Sequence, residues 1–356
     1  MPEIRIAIAG IGNCASALLQ GIEFYRQDGG TTGLIYPEIG GFKPADVRIV
    51  AAFDVDARKV GKDVSEAVWQ PPNCTHRFHE IPRQDVPVLM GPVLDGAPEH
   101  LRGFVQVANV PEVGDVAAVL KETRADLLVN LLPTGSAAAT RAYADAAIKE
   151  AKVGFINGIP ELIASDRHYS DAATENRVPL VGDDFKSQIG TTVIHQSILR
   201  TLLDRGVTVK QMYQYNFAGN TDFANLERRG ESKEISKRSA LSAVLPYPVT
   251  WGFAPMYIEG QEDTKTGVIR IKGVYWGNQE VELSIQLAVN DSADAAGVMI
   301  DMIRFAKAAA ERGVVGVLDP VCSFYAKHPP GYVSDVAARA YLDNLASRGP
   351  LPAIPS

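Results

Sequence analysis

Residues 4–26 read IRIAIAGIGNCASALLQGIEFYR, and this stretch decides the fold. The first six residues form a short apolar run of the kind that makes a buried strand. Gly10, Gly12 and Ala15 then give a GxGxxA turn, and the residues beyond it have the spacing of an amphipathic helix. Strand, glycine turn and helix in this order build a pyrophosphate site. The glycines permit a tight turn and close approach of the ligand, and the helix N-terminus offers N–H groups and a positive dipole end. A plain βα turn with small residues is the competing reading, and the next strand favours the first. VRIVAAFDVD, residues 47–56, ends in an acid, Asp54, placed for an adenosine ribose. Asp54 lies farther from Gly12 than the roughly 20 residues usual for such an acid. A Gly- and Pro-rich loop over 28–46 accounts for the excess. An acid here, where an arginine would suit a 2′-phosphate, favours NAD over NADP.

Outward from this unit the same alternation continues. ADLLVNLLP (125–133), VGFINGIP (153–160) and VPLVGDD (178–184) read as strands, and SAAATRAYADAAIKEA (136–151) as a helix. Strands alternating with helices predict a doubly wound parallel α/β sheet. Near residue 205 the pattern changes. VTVKQMYQYNF and GVIRIKGVYWGNQEVELSIQLAVND are strand-like with partial period-2 alternation, and a helical SKEISK region lies between them. They predict a second, open sheet over residues 200–290, inserted between parts of the first domain. SADAAGVMIDMIRFAKAAAERG (292–313) then predicts a long helix returning to the first domain.

Composition excludes several classes. A net charge of -7 gives no general attraction to nucleic acid or an anionic membrane. No apolar run approaches the ~18–20 residues needed to span a bilayer. The opening MPEIRIAIAG lacks the basic n-region of a signal peptide, and three widely spaced cysteines form no CxxC pair. A cytoplasmic location is the expectation. The tail RGPLPAIPS reads as a loosely ordered end.

Polar residues at the ends of strands are the candidates for chemistry, because ligands bind outside the carboxyl ends of such strands. VNLLPTGS supplies Asn130, Pro133 and Thr134, and FINGIP supplies Asn157 and Gly158. GDDFKSQIGTT supplies Asp183, Asp184 and Lys186. Asn216, Asn220 and Asp222 in YNFAGNTDF suit a polyol, although Asx turns would use the same residues. Lysines are usually solvated, but Lys233 and Lys237 are i,i+4 neighbours whose like charges disfavour a helix.

Taken in order, GIGNCASALLQGIE, AAFDVDARKVGKD, GPVLDG, GDDFKSQIGTT, NFAGNTDF, SKEISK, NDSADAAGVMIDMIRFAK and AKHPP resemble the myo-inositol-1-phosphate synthase (inositol-3-phosphate synthase) family in its shorter bacterial and archaeal form. The resemblance runs from about residue 4 to 332. It implies a Rossmann-type sheet with an inserted α+β catalytic and tetramerisation domain. The corresponding boundaries are 1–198, 199–297 and 298–356, the last a return to the Rossmann domain.

The resemblance also implies an activity. NAD-dependent oxidation at C5 of D-glucose 6-phosphate permits enolisation, aldol closure and re-reduction, giving 1L-myo-inositol 1-phosphate. Gly10, Gly12, Asn13, Cys14 and Asp54 match the cofactor loop and ribose acid. Asn130, Pro133, Thr134, Asn157, Gly158, Asp183, Asp184 and Lys186 stand as further cofactor residues. Lys233, Lys237, Lys265, Lys327, Asp222 and Asp291 match the catalytic set, and Asn216, Asn220, Lys233 and Lys237 the substrate set. Clustered lysines in a water-excluded pocket bind phosphate, stabilise oxyanions and move protons. A divalent or monovalent cation is a further candidate, and the expected assembly is a homotetramer. Residues 244–262, VLPYPVTWGFAPMYIEGQE, depart from the polar step the family carries beside its sugar pocket. A paralogue acting on another hexose phosphate and a non-catalytic NAD-binding protein are the alternatives.

Overall fold

The computed structural model describes residues 2–27, 29–110, 115–229, 231–242 and 244–353. The first sheet contains β1 (Ile4–Ala9), β2 (Val47–Asp54), β3 (Val88–Met90), β4 (Leu127–Asn130), β5 (Gly154–Asn157), β6 (Pro179–Val181) and β11 (Gly316–Val317). The second contains β7 (Thr208–Ala218), β8 (Thr250–Tyr257), β9 (Thr264–Val274) and β10 (Glu280–Asn290). The helices are α1 (Asn13–Gln27), α2 (Val64–Ala67), α3 (Val116–Glu122), α4 (Ala137–Ala144), α5 (Arg167–Glu175), α6 (Thr191–Asp204), α7 (Thr221–Arg229), α8 (Glu231–Ser242), α9 (Asp291–Glu311), α10 (Asp319–Tyr325) and α11 (Asp335–Ala346).

The first sheet has the order β11-β6-β5-β4-β1-β2-β3, and every pairing in it is parallel. β1 therefore stands between β2 and β4, at the point where the strand order reverses. This is the doubly wound arrangement whose ligand crevice opens at that switch point. Period-2 alternation divides β1 between two cores. Ile4, Ile6 and Ile8 pack on one side with α1 and α9, and Ala7 and Ala9 on the other with Leu128, Tyr143 and Phe155. Each fully buried isoleucine contributes roughly 1.5–3 kcal/mol. The small alanines let the Tyr143 ring come close to the sheet.

α9 is the long returning helix expected from the sequence. It is buried along most of its length because it packs on α1 and also meets β1, β6 and α11. Two of the charged groups it buries pair with each other: Arg304 with Asp301, whose second oxygen accepts from Tyr325 at 2.9 Å. Buried charge is tolerated only with such partners.

The second sheet has the order β10-β9-β7-β8. The sequence stretch 267–291 divides into a hairpin, with Gly277 (φ 63) and Asn278 (φ 59) forming the left-handed turn between β9 and β10. β8 lies within residues 244–262, the stretch expected from the sequence to depart from the family. It pairs in parallel with β7 at the sheet edge, where Pro255 removes no interior ladder bond. Leu199 of α6 and Leu241 of α8 cover one face of this sheet against Val209, Met212, Ile269 and Ile271. No helix among the described residues is long and apolar enough to cross a membrane. Of the Pro-rich tail, residues 354–356 lie outside the described residues.

Candidate active site

One cleft is bordered by the β1–α1 turn, the C-terminal ends of the first sheet and one end of the second. Gly10 has φ +93, and a Cβ there would stand 2.6 Å from the Leu131 carbonyl oxygen, so only glycine fits. A Cβ on Gly12 would meet nothing within 4 Å, which leaves the helix N-terminus open to a ligand. Asp54 fixes this turn. Its Oδ2 accepts from Ile11 N at 2.8 Å, and its Oδ1 from Val55 N at 2.7 Å and Asp56 N at 2.9 Å. A carboxylate offers about four acceptor directions, so one remains for a ribose hydroxyl. Lys59, which sequence reasoning missed, is buried and borders the cleft. Its Nζ donates to Ile11 O at 2.9 Å and to Asn73 Oδ1 at 3.0 Å, and stands 3.7 Å from Asp54 Oδ2. Asn13 borders the cleft with its side chain turned to Cys74, whose N–H it accepts at 2.8 Å. Cys14 borders the cleft beside it.

The strand-end residues divide into two groups. Pro133, Thr134, Gly158 and Asp184 border the cleft. Asn130, Asn157, Asp183 and Lys186, also expected to touch the cofactor, are buried and do not border it. Asn130 donates to Asn157 Oδ1 at 2.9 Å, and Asn157 donates to Asp183 Oδ1 at 2.7 Å. Asp183 then accepts from the backbone N–H groups of Ile163, Ala164 and Ser165 at 3.0–3.1 Å. Burial pushes its carboxyl up, and these donors pull it down. The chain stitches β4, β5 and β6 together under the cleft floor. Lys186 donates to the Ser323 carbonyl at 2.7 Å, and burial lowers its pKa to about 8. A strand end identifies the layer in which a residue lies. The direction of its side chain depends on partners far away in sequence.

The second sheet, the helices beside it and the segment after α10 supply the remaining groups. Asn216, Asn220, Asp222, Lys237, Lys265 and Asp291 border the cleft together with Lys327. Lys327 Nζ donates to Asp184 Oδ1 at 2.9 Å and to Phe185 O at 2.8 Å. Lys265 Nζ donates to Asp291 Oδ1 at 2.7 Å. Asn216, with its amide oxygen turned to the nearest donor, accepts from Lys237 Nζ at 2.7 Å. Lys237 also lies over the ring of Phe253 on β8, 4.2 Å from its centroid. Lys233 lies on α8 with Lys237, and its side chain is outside the described residues. Asp222 accepts from Thr134 Oγ1 at 3.2 Å, and Asn225 donates to Thr134 O at 2.6 Å, so α7 clamps the loop after β4.

Sequence reasoning also missed the N-terminus of α6. Gly190, Thr191 and Thr192 border the cleft there, and the unpaired N–H groups of a helix start attract anions. Gln214 donates to Thr191 Oγ1 at 2.8 Å, and His195 Nδ1 lies 3.4 Å from Gln214 Oε1. Burial holds His195 down at about pKa 4, so its ring is neutral at pH 7. Asp263 is a further buried carboxylate. Burial first, then the charge of Asp291, raises its pKa to about 6. Among the described residues, no group of three or more His, Cys, Asp or Glu is placed to hold a metal ion.

The fold and this cleft define a Rossmann-type enzyme. The chain belongs to the myo-inositol-1-phosphate synthase family. A family profile of that description matches residues 190–292, which include α6 and the whole second sheet. The chain is 40% identical to inositol-3-phosphate synthase of Mycolicibacterium smegmatis, covering 96% of this chain and 98% of that one. It is 39% identical to inositol-3-phosphate synthase of Corynebacterium glutamicum, over 96% and 97%. Among solved structures, Ari2 superposes with a TM-score of 0.79 at 35% identity, covering 97% of this chain and 99% of that one. A myo-inositol-1-phosphate synthase-related protein from Thermotoga maritima gives 0.78 at 25% identity, over 99% and 100%.

Proposed function

We propose that this chain converts D-glucose 6-phosphate to 1L-myo-inositol 1-phosphate in a redox-neutral cyclisation. The observation that carries this reading is the shared cleft. The glycine turn with Asp54 and the lysine–carboxylate groups of the second sheet border the same space. The residues present fit NAD: Gly10 admits no side chain, Gly12 is open, and Asp54 keeps one acceptor direction for a ribose. NAD held in this turn would supply the hydride acceptor for oxidation at C5 and, once reduced, the hydride donor for the closing reduction.

The chain's own residues supply the rest of the chemistry. The α6 N-terminus with Thr191 and Thr192 favours the phosphate of the substrate. The C5 ketone makes the C6 proton acidic, and a lysine with a carboxylate partner is suited to moving it. Lys265 with Asp291 is such a pair. Lys327, held against Asp184, keeps a fixed cation beside the cleft for enolate and alkoxide oxygens. Lys237 between Asn216 and Phe253 serves as a second oxyanion donor or as the proton carrier. Asn216 and Asn220 orient sugar hydroxyls. A division at 1–198, 199–297 and 298–356, a homotetramer, a cytoplasmic location and a divalent or monovalent cation complete the reading.

A second reading keeps the cycle and changes the sugar. It is favoured by Phe253, which the divergent 244–262 stretch places on the cleft beside Lys237. NMR of the product separates the two. Purified protein with NAD and glucose 6-phosphate is expected to yield an inositol monophosphate. Turnover of another hexose phosphate alone would favour the second reading.

A further inference from the structure

Asp263, in the turn before β9, carries a carboxylate that no sequence motif singles out. It is 2% exposed and does not border the cleft. Three elements meet on it. Asn220, between β7 and α7, donates through Nδ2 to Oδ1 at 3.1 Å. Ser292, in the first turn of α9, donates through its hydroxyl to Oδ1 at 2.9 Å and through its N–H to Oδ2 at 3.3 Å. The backbone carbonyl of Asp263 accepts from Asp291 N at 2.9 Å. The Asn220 amide also reaches Asp291 Oδ2 at 3.4 Å, and the other oxygen of Asp291 holds Lys265 at 2.7 Å.

An ordinary helix cap does not account for this arrangement. α9 already has one, since the Asn290 side chain accepts from Ala293 N at 3.0 Å. A buried carboxylate close to Asp291 is costly in itself, and burial with that neighbour pushes Asp263 up to about 6. Its hydrogen bonds run to the two groups that flank Asp291. We propose that Asp263 is a positioning residue for the Lys265–Asp291 pair, holding Asn220 and Ser292 so that the Asp291 carboxylate meets the Lys265 ammonium at the cleft. The inference rests on the reading that this pair acts on the substrate.

The test is a double-mutant cycle with Asp263→Asn and Lys265→Met, together with NMR of the lysine side chains. Asp263→Asn is expected to lower kcat by roughly 10–100-fold with KM and NAD affinity within about threefold, as a displaced catalytic group would. In the Lys265→Met background the same change is expected to cost less than about twofold more, because coupled residues are not additive. Losses that multiply would overturn the inference, and so would an unchanged kcat. Asp263→Ala repeats the cycle if the Asn variant does not fold. In ¹³C-lysine-labelled protein without substrate, the Cε signal of Lys265, assigned by its absence in Lys265→Met, is expected to move in Asp263→Asn. An unmoved signal would overturn the inference whether or not glucose 6-phosphate is the substrate. Failure of wild-type protein to turn over glucose 6-phosphate counts against the functional reading alone.

Discussion

The Lys237 ammonium lies 4.2 Å from the centroid of the Phe253 ring, on the edge strand β8. A desolvated cation–π contact is worth up to about 2 kcal/mol. Phe253→Leu keeps an apolar wall and removes the ring. It is expected to lower kcat by roughly 3–30-fold. Steady-state kinetics with unchanged kcat and KM would show that the ring plays no part.

Lys237 itself separates fixed charge from proton transfer. Lys237→Met is expected to lower kcat on the order of 10²–10⁴-fold. NAD affinity should survive, because the cofactor turn lies on the first sheet. Lys237→Arg keeps the charge and cannot release a proton near neutral pH. It is expected to hold substrate affinity without restoring turnover. Near-wild-type kcat in Lys237→Arg would limit Lys237 to a fixed charge.

The turn and the ribose acid act as one unit, because Asp54 accepts the Ile11 N–H at 2.8 Å. Asp54→Ala therefore removes a ribose partner and loosens the pyrophosphate loop. Calorimetry is expected to give NAD binding weaker by roughly tenfold or more, with wild type preferring NAD to NADP. Equal wild-type affinity for the two cofactors would remove Asp54 from this role.

His195 makes a pH-dependent contribution to stability. Its folded pKa of about 4 lies below the ordinary 6.5, so the folded chain prefers the neutral ring. That stability is complete above pH 6.5 and is lost as pH falls toward 4, as the unfolded chain gains the proton first. The loss amounts to at most about 3 kcal/mol. Asp263 acts in the opposite sense over an overlapping range, so the comparison must be made between variants. Urea unfolding of His195→Gln is expected to lack the His195 slope between pH 7 and 5. An identical slope in both proteins would contradict the neutral assignment.

The legible parts of the sequence were those whose signals are local. The turn at Gly10 and Gly12, the apolar runs of β1, β2 and β4, and the alternation in β7, β9 and β10 report on neighbouring residues. β8 was not legible, because Gly252 and Pro255 interrupt its strand pattern. The structure tolerates them at a sheet edge. Asn157 ends β5 and Asp183 and Lys186 follow β6, and the side chains of all three are buried away from the cleft lining. Their partners, Ser165 and Ser323 among them, lie on loops and helices that no local pattern connects to them. Asp263, next to Glu262 and two residues before Lys265, belongs to no motif. Its importance comes from Asn220 and Ser292, which only folding brings to it.

The central claim is that oxidation and reduction cancel within one turnover. It is tested most directly with glucose 6-phosphate deuterated at C5, following NADH by absorbance and the product by NMR. The account predicts an inositol monophosphate that keeps the deuterium on the former C5, with NADH far below the substrate consumed. NADH formed mole for mole with substrate loss, or a product without the label, would contradict it.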